Sequence, residues 1–183
     1  MKIFSARRDQ IMILTFFLIV IFFFGIRAYL KTSQQGKEVV KENSPLALNW
    51  LSYNEGLALA EKENKYILID FYTDWCGYCK KMDKETYSRE EVKKILSENF
   101  LVVRVNAESD NKVIEGGKEI TERELAKLYQ VSGYPTTWFL ESNHTRIAPL
   151  PGYVTTEQFI PVLNYIGAGW YKSISFQEYL GKI

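Results

Sequence analysis

At 183 residues the chain has room for one ordinary domain and an appendage, and 46% hydrophobic with 25% charged residues is the balance of a globular protein, not of a disordered one. Its 23 basic and 22 acidic side chains leave a net charge of +1, which excludes the electrostatic footprint of a nucleic-acid binder. Aromatic residues make up 15%, enough to supply a substantial core.

Ile11 to Ile26 (IMILTFFLIVIFFFGI) is sixteen residues without a charge, bounded by Arg7, Arg8 and Asp9 before it and by Arg27 after it. As a helix this run spans about 24 Å against a hydrocarbon core of about 30 Å. Extension through Ala28, Tyr29 and Leu30, with Arg27 snorkelling outward, brings the length close to sufficient. A cleavable signal peptide is the rival reading, because a basic start and a short apolar stretch describe it as well. The small residue placed to precede a cut is Ala28, with Ile26 two before it and Arg27 between, which favours an uncleaved anchor over residues 1–31. Lys2, Arg7 and Arg8 before the run outweigh Arg27 and Lys31 after it, so the N-terminus is expected in the cytoplasm. Either reading leaves the remainder of the chain outside the cytoplasmic membrane, anchored in one case and soluble in the periplasm in the other.

Residues 32–49 are polar, carry Pro45 and show no apolar period; they read as a linker. One domain is expected over residues 50–183. Many of its helix starts carry an S/T-x-x-E/Q capping box. Ser52 with Glu55 opens a helix to about Asn64, and Tyr66 to Tyr72 (YILIDFY) is a buried strand. Cys76 to about Tyr87 is helical, and Ser88 with Glu91 opens a further helix with Val92, Ile95 and Leu96 on one face. Phe100 to Val105 is a second strand, followed by an added polar segment, Ser109 to Ile120. Thr121 with Glu124 caps a helix carrying Leu125, Leu128 and Tyr129. Thr136 to Leu140 and about Thr145 to Leu150 form an antiparallel pair of strands. Thr155 with Gln158 starts a helix to about Ile166, and Ser175 with Glu178 caps a short C-terminal one. The order is that of an α/β fold with a central mixed sheet flanked by helices, a βαβ half followed by a ββα half.

The only cysteines, Cys76 and Cys79, stand where the first strand hands over to a helix N-terminus. Unpaired backbone N–H groups there favour the thiolate, which is the nucleophile, so Cys76 is the expected attacking sulfur. Cys79, about one turn on, can resolve a mixed disulfide into an intramolecular one. Two other readings compete. A structural bridge closing so short a loop would constrain the unfolded chain little. A closed zinc site wants four N/S ligands, against two cysteines and His144, a residue of a polar turn that reads as surface. Asp70 inside YILIDFY is costly to bury ionised, so its pKa is expected to rise; the competing reading is that strand alternation points it to solvent. Trp75 reads equally as a core or a surface aromatic. Pro135 follows Gly-Tyr and precedes a strand, where it removes a ladder N–H and can hold a cis bond.

The stretch Ile69-Asp70-Phe71-Tyr72-Thr73-Asp74-Trp75-Cys76-Gly77-Tyr78-Cys79-Lys80 resembles the active-site region of the thioredoxin superfamily, and Gly133-Tyr134-Pro135-Thr136 resembles its cis-proline loop. Within the superfamily the pattern D-x-Y-x-D-W-C-x-x-C-K, with Thr86, Tyr87 and Ser88 after it, is similar to the C-terminal periplasmic domain of the transmembrane thiol:disulfide interchange reductase and to small exported thioredoxin-like proteins. The likeness covers roughly residues 50–167 and implies a thioredoxin fold. By resemblance, Cys76 is the nucleophile, Cys79 the resolving cysteine and Asp70 the buried acid that takes the proton of Cys79. Trp75, Tyr134 and Pro135 would meet the substrate chain. Gly77-Tyr78 departs from the Gly-Pro of general thioredoxins, so the redox potential does not carry over.

The expected function is that of a thiol-disulfide oxidoreductase of the cell envelope that reduces disulfides in exported proteins, with the redox-active Cys76–Cys79 disulfide in place of any cofactor or metal. Its implied partners are disulfide-bearing proteins, a membrane dithiol that supplies electrons, and the inner membrane through the N-terminal helix. A disulfide-donating oxidase and a Cu(I)-binding module are the alternatives.

Overall fold

The computed structural model describes residues 47–183; the expected anchor and most of the linker lie outside them. Among the described residues no helix is long and apolar enough to cross a membrane. A first helix α1 (Tyr53–Glu63) precedes strand β1 (Tyr66–Tyr72), helix α2 (Gly77–Met82) with a wide π-helical turn at its end (Asp83–Tyr87), helix α3 (Glu90–Asn99) and strand β2 (Phe100–Asn106). A hairpin of β3 (Lys112–Glu115) and β4 (Lys118–Thr121) leads into α4 (Glu122–Leu128). Strands β5 (Thr136–Leu140) and β6 (Arg146–Pro151), helix α5 (Thr156–Gly167), a single 3₁₀ turn (Trp170–Lys172) and helix α6 (Phe176–Leu180) complete the chain.

Four strands form one mixed sheet in the order β2-β1-β5-β6, with β1 parallel to β2 and antiparallel to β5. The period-2 alternation of a strand sorts the side chains of β1. Ile67, Ile69 and Phe71 enter a core with Tyr53, Leu57, Leu125 and Tyr129, from α1 and α4. Leu68 enters the opposite core with Met82, Leu96, Phe159 and Leu163, from α2, α3 and α5. Both faces of β1 are covered, which is why five consecutive residues, Ile67 to Phe71, are buried.

The capping boxes at Ser52, Thr121 and Thr155 form as the sequence predicts. The one at Ser88 does not. The π-helical turn carries the previous helix as far as Tyr87, so the Ser88 hydroxyl donates back to the Lys84 carbonyl at 2.6 Å and α3 starts after Arg89 without a side-chain cap. The polar segment Ser109 to Ile120 is likewise not featureless. Gly116 and Gly117, both at positive φ, turn its alternating sequence into the β3–β4 hairpin. Asn54 of α1 holds that hairpin by its backbone: Nδ2 donates to the Ile114 carbonyl at 2.7 Å and Oδ1 accepts from the Ile114 N–H at 2.9 Å. His144 is half-buried, with Nε2 3.2 Å from the Leu57 carbonyl, and not a freely exposed turn residue.

Candidate active site

Cys76 and Cys79 are joined as a disulfide at the start of α2, their Cα atoms 5.3 Å apart. Cys76 is the N-cap: it is extended, its N–H donates to the Thr73 carbonyl, and its Sγ accepts from the Cys79 N–H at 3.0 Å. One of the donors left over at a helix start therefore points at the sulfur expected to carry negative charge. Both cysteines are only 3% exposed. The rim above them is aromatic. Trp75 and Tyr78 are 67% and 63% exposed, which removes the core-packing reading of Trp75. Trp75 meets Tyr134 edge to face at 6.1 Å between centroids, and Tyr78 lies 6.3 Å from Tyr153 on the other flank.

Pro135 is buried between Tyr134 and β5, and the Tyr134–Pro135 peptide bond is cis. Its carbonyl accepts from the Gly152 N–H at 2.8 Å, which ties the cis-proline loop to the end of β6. The indole N–H of Trp75 donates to Glu108 Oε2 at 2.9 Å. Glu108 follows β2, and its backbone carbonyl is gripped by Arg123 of α4. The loop that follows β2 and the start of α4 are thus tied to the rim of the site.

Asp70 is 1% exposed, so the solvent-facing reading fails: alternation along β1 turns it to the face that α2 covers. Burial pushes its carboxyl up from 3.8 to about 6, against the attraction of Arg104 and with a smaller upward push from Asp83. Arg104, which sequence reasoning passed over, donates to Asp70 Oδ2 through Nη2 at 2.9 Å and Nε at 3.1 Å, and through Nη2 to Asp83 as well. Its guanidinium lies over the rings of Trp50 and Tyr72. Asp70 Oδ1 is buried and has no hydrogen-bond partner among the described residues. The signal for Arg104 was present in the sequence as a charge inside the apolar run FLVVRV; its pairing with Asp70 follows from the β1–β2 register, which no residue announces. Lys80 is exposed, and Lys81 lies over the Tyr153 ring at 4.7 Å and 3.8 Å from Glu85.

A dithiol pair capping a helix, a half-paired buried acid on the sheet face beneath that helix, and a cis-proline loop beside it make up a site suited to moving electrons between sulfurs. The comparisons with known proteins agree in kind. The chain is 34% identical over 123 residues to protein disulfide-isomerase A2 of Mus musculus, covering 67% of this chain and 20% of that one. It is 30% identical over 104 residues to thiol:disulfide interchange protein DsbD of Yersinia pestis, covering 56% and 16%. The chain thus spans a fifth or less of the length of these curated relatives. Among solved structures it is similar to a thioredoxin-fold protein from Helicobacter pylori, with a TM-score of 0.54 and 31% identity over 66% of this chain and 80% of that one. A thioredoxin from Thermus thermophilus gives a TM-score of 0.55 and 28% identity over 65% and 86%. Residues 53–167, most of the described domain, match the thioredoxin-like domain family, and to that family this chain belongs.

Proposed function

We propose that the protein is a thiol-disulfide oxidoreductase that reduces disulfides in client proteins. The observation that carries this reading is the Cys76–Cys79 disulfide at the α2 N-terminus, with the carboxyl of Asp70 buried on the sheet face that the same helix covers. In the cycle, the Cys76 thiolate attacks one sulfur of a client disulfide. One S–S bond forms, the client bond breaks, and the second client sulfur leaves as a thiolate. Cys79 then loses its proton to the Asp70 carboxylate and attacks Cys76 Sγ, which releases the reduced client and closes the Cys76–Cys79 disulfide. Two electrons pass to the client, and a partner dithiol must return them. A carboxyl whose pKa lies near 6 is ionised often enough at neutral pH to take that proton and is still basic enough to hold it.

Trp75, Tyr134 and Pro135 are the proposed contact surface for the client chain, the exposed Trp75 ring meeting the half-buried Tyr134 ring beside the buried cysteines. Residues 1–31 are proposed as an uncleaved anchor in the inner membrane and 32–49 as its linker, on the strength of the uncharged run Ile11 to Ile26. This puts the domain of residues 50–183 on the outer side of the cytoplasmic membrane, near a membrane dithiol donor. Persistence of the full-length chain in membranes washed at alkaline pH tests the anchor.

Exchange itself is tested by trapping. Cys79→Ser should accumulate mixed disulfides through Cys76, and Cys76→Ser should trap none. Absence of any trapped partner with Cys79→Ser would sink the reading. The direction of flow is read from the equilibrium potential of the pair: near about −270 mV the protein is a reductant, whereas near about −120 mV it is a disulfide donor.

A further inference from the structure

The buried sulfurs lie between two flanks of unlike chemistry. On the Trp75–Tyr134 side a cavity of about 510 Å³ mixes the charged Glu108, Arg123 and Lys127 with Ala107, Val131 and Tyr134. On the Tyr78–Tyr153 side a second hollow of about 530 Å³ is lined mainly by apolar residues, among them Tyr153, Val162, Phe176 and Leu180, together with Glu157 and Gln158. The second is mostly apolar, falls within the size range of ligand sites, and is continuous with the disulfide rim, because Tyr153 belongs to its wall and packs on Tyr78 between the cysteines. Its far wall is α6, which lies beyond residues 53–167 of the family match. Its floor borders β6, an edge strand of the sheet whose Pro149 and Pro151 bring no N–H to the edge. An occupant is therefore held by side-chain burial and not by strand addition. Leu180 is 37% exposed at the lip.

We propose that this groove is a second recognition site for the client polypeptide: it takes an apolar segment a few residues away from the client cysteine while the disulfide is seated at Cys76. The proposal rests on the exchange reading above. With both cysteines 3% exposed, a client has to bring its disulfide down between the two aromatic pairs, and its chain leaves along one flank or the other. Leucine, valine or phenylalanine side chains meet a mostly apolar lining on the Tyr153 flank, whereas three charged side chains interrupt that of the opposite one. The protein would then prefer clients that are unfolded around the cysteine, where such segments are exposed. A folded client with a polar disulfide loop gains nothing from the groove.

The test uses the full chain, reduced and held in lipid nanodiscs so that no detergent competes for the groove. The probes are peptides with one cysteine in a mixed disulfide with thionitrobenzoate, carrying a leucine triplet on one flank of the cysteine, on the other flank, or a serine triplet in its place. Oxidised glutathione, too short to leave the rim, reports the basal exchange. One leucine peptide should react about tenfold faster than the serine peptide. Leu180→Asp and Val162→Asp should each remove that advantage, Leu180→Met should keep it, and all should reduce oxidised glutathione at the wild-type rate. Equal rates for leucine and serine peptides in the wild type, or an advantage that survives both aspartates, overturns the proposal. So does a leucine advantage that falls as protein concentration rises and a dimer forms, because the groove would then belong to a second copy. If even oxidised glutathione is not reduced, the exchange reading has failed on its own. The groove is then decided by fluorescence anisotropy of a cysteine-free leucine peptide, where saturable binding lost in Leu180→Asp supports it and no binding overturns it.

Discussion

Arg104 and Asp70 face each other across the parallel β1–β2 pair as register partners, and the guanidinium grips one oxygen of the carboxylate through both Nη2 and Nε. The other oxygen, Oδ1, is buried without a partner among the described residues. The carboxyl is thus half-satisfied: the arginine holds it in place, and one lone-pair face stays free to receive a proton. An orphaned buried acceptor is destabilising on its own account, and its presence in the face covered by the disulfide helix is what the proton-accepting role proposed above would require.

The pH dependence of stability follows from that acid. Its folded pKa, about 6, lies above the unfolded value of 3.8, so between these values the native state binds the proton more tightly. The contribution is fully favourable below the lower value and is lost as pH rises through the upper one, by roughly 3 kcal/mol in total. Asp70→Asn should abolish this segment of the stability profile between pH 4 and 7 and make the oxidised protein more stable at pH 8. Urea unfolding across that range checks it; a profile unchanged by Asp70→Asn contradicts the assignment.

Arg104→Met removes the cation that, among the described residues, lowers the carboxyl, and should drive the Asp70 pKa above its present value of about 6. An ionised Asp70 left without its partner costs about 3–5 kcal/mol, and protonation relieves the cost. The variant should therefore be severely destabilised at pH 8 and much less so at pH 5, a contrast measured by denaturant melts. A carbon-13 titration of the Asp70 carboxyl gives the pKa directly.

Close packing of α1 on β2 is tested at Gly56. A Cβ there would run into Val103 Cγ2, and Val103 is fully buried with no room to retreat. Gly56→Ala should lose about 1–3 kcal/mol. Combined with Val103→Ala it should lose less than the sum of the two single changes, since the shortened neighbour makes room for the methyl. Strict additivity in thermal or urea melts would contradict the packing argument.

Asn54→Ala cuts both side-chain bonds that hold Ile114 of the hairpin. Because the site is exposed and water can replace the amide, the expected loss is about 1 kcal/mol. Hydrogen exchange should locate it: the β3–β4 amides lose protection while those of β1 keep theirs. A uniform rise in exchange over the whole domain would mean instead that the hairpin is integral to the global fold.

Much of the fold could be read from local pattern. Apolar runs marked β1 and β2, and S/T-x-x-E/Q spacing marked four helix starts correctly. It failed at Ser88 because a capping box states only what a serine is able to do, and the π-helical turn gave that hydroxyl a nearer carbonyl. The β3–β4 hairpin was missed although Glu115-Gly116-Gly117-Lys118 between alternating residues is a turn signal, since its polar composition outweighed the alternation.

For the site, the sequence by itself determined the chemistry available: two cysteines three residues apart after a strand, an aspartate inside that strand, and a proline ahead of another. These depend on short-range spacing, which the covalent chain imposes. Only the tertiary structure decided which charge meets Asp70, that Trp75 and Tyr78 stand outward while both sulfurs are covered, and that Tyr153 and α6 extend the rim into a groove. Those facts rest on strand register and on the packing of residues far apart in the chain, which are settled by burial over the whole domain and by no single segment of it.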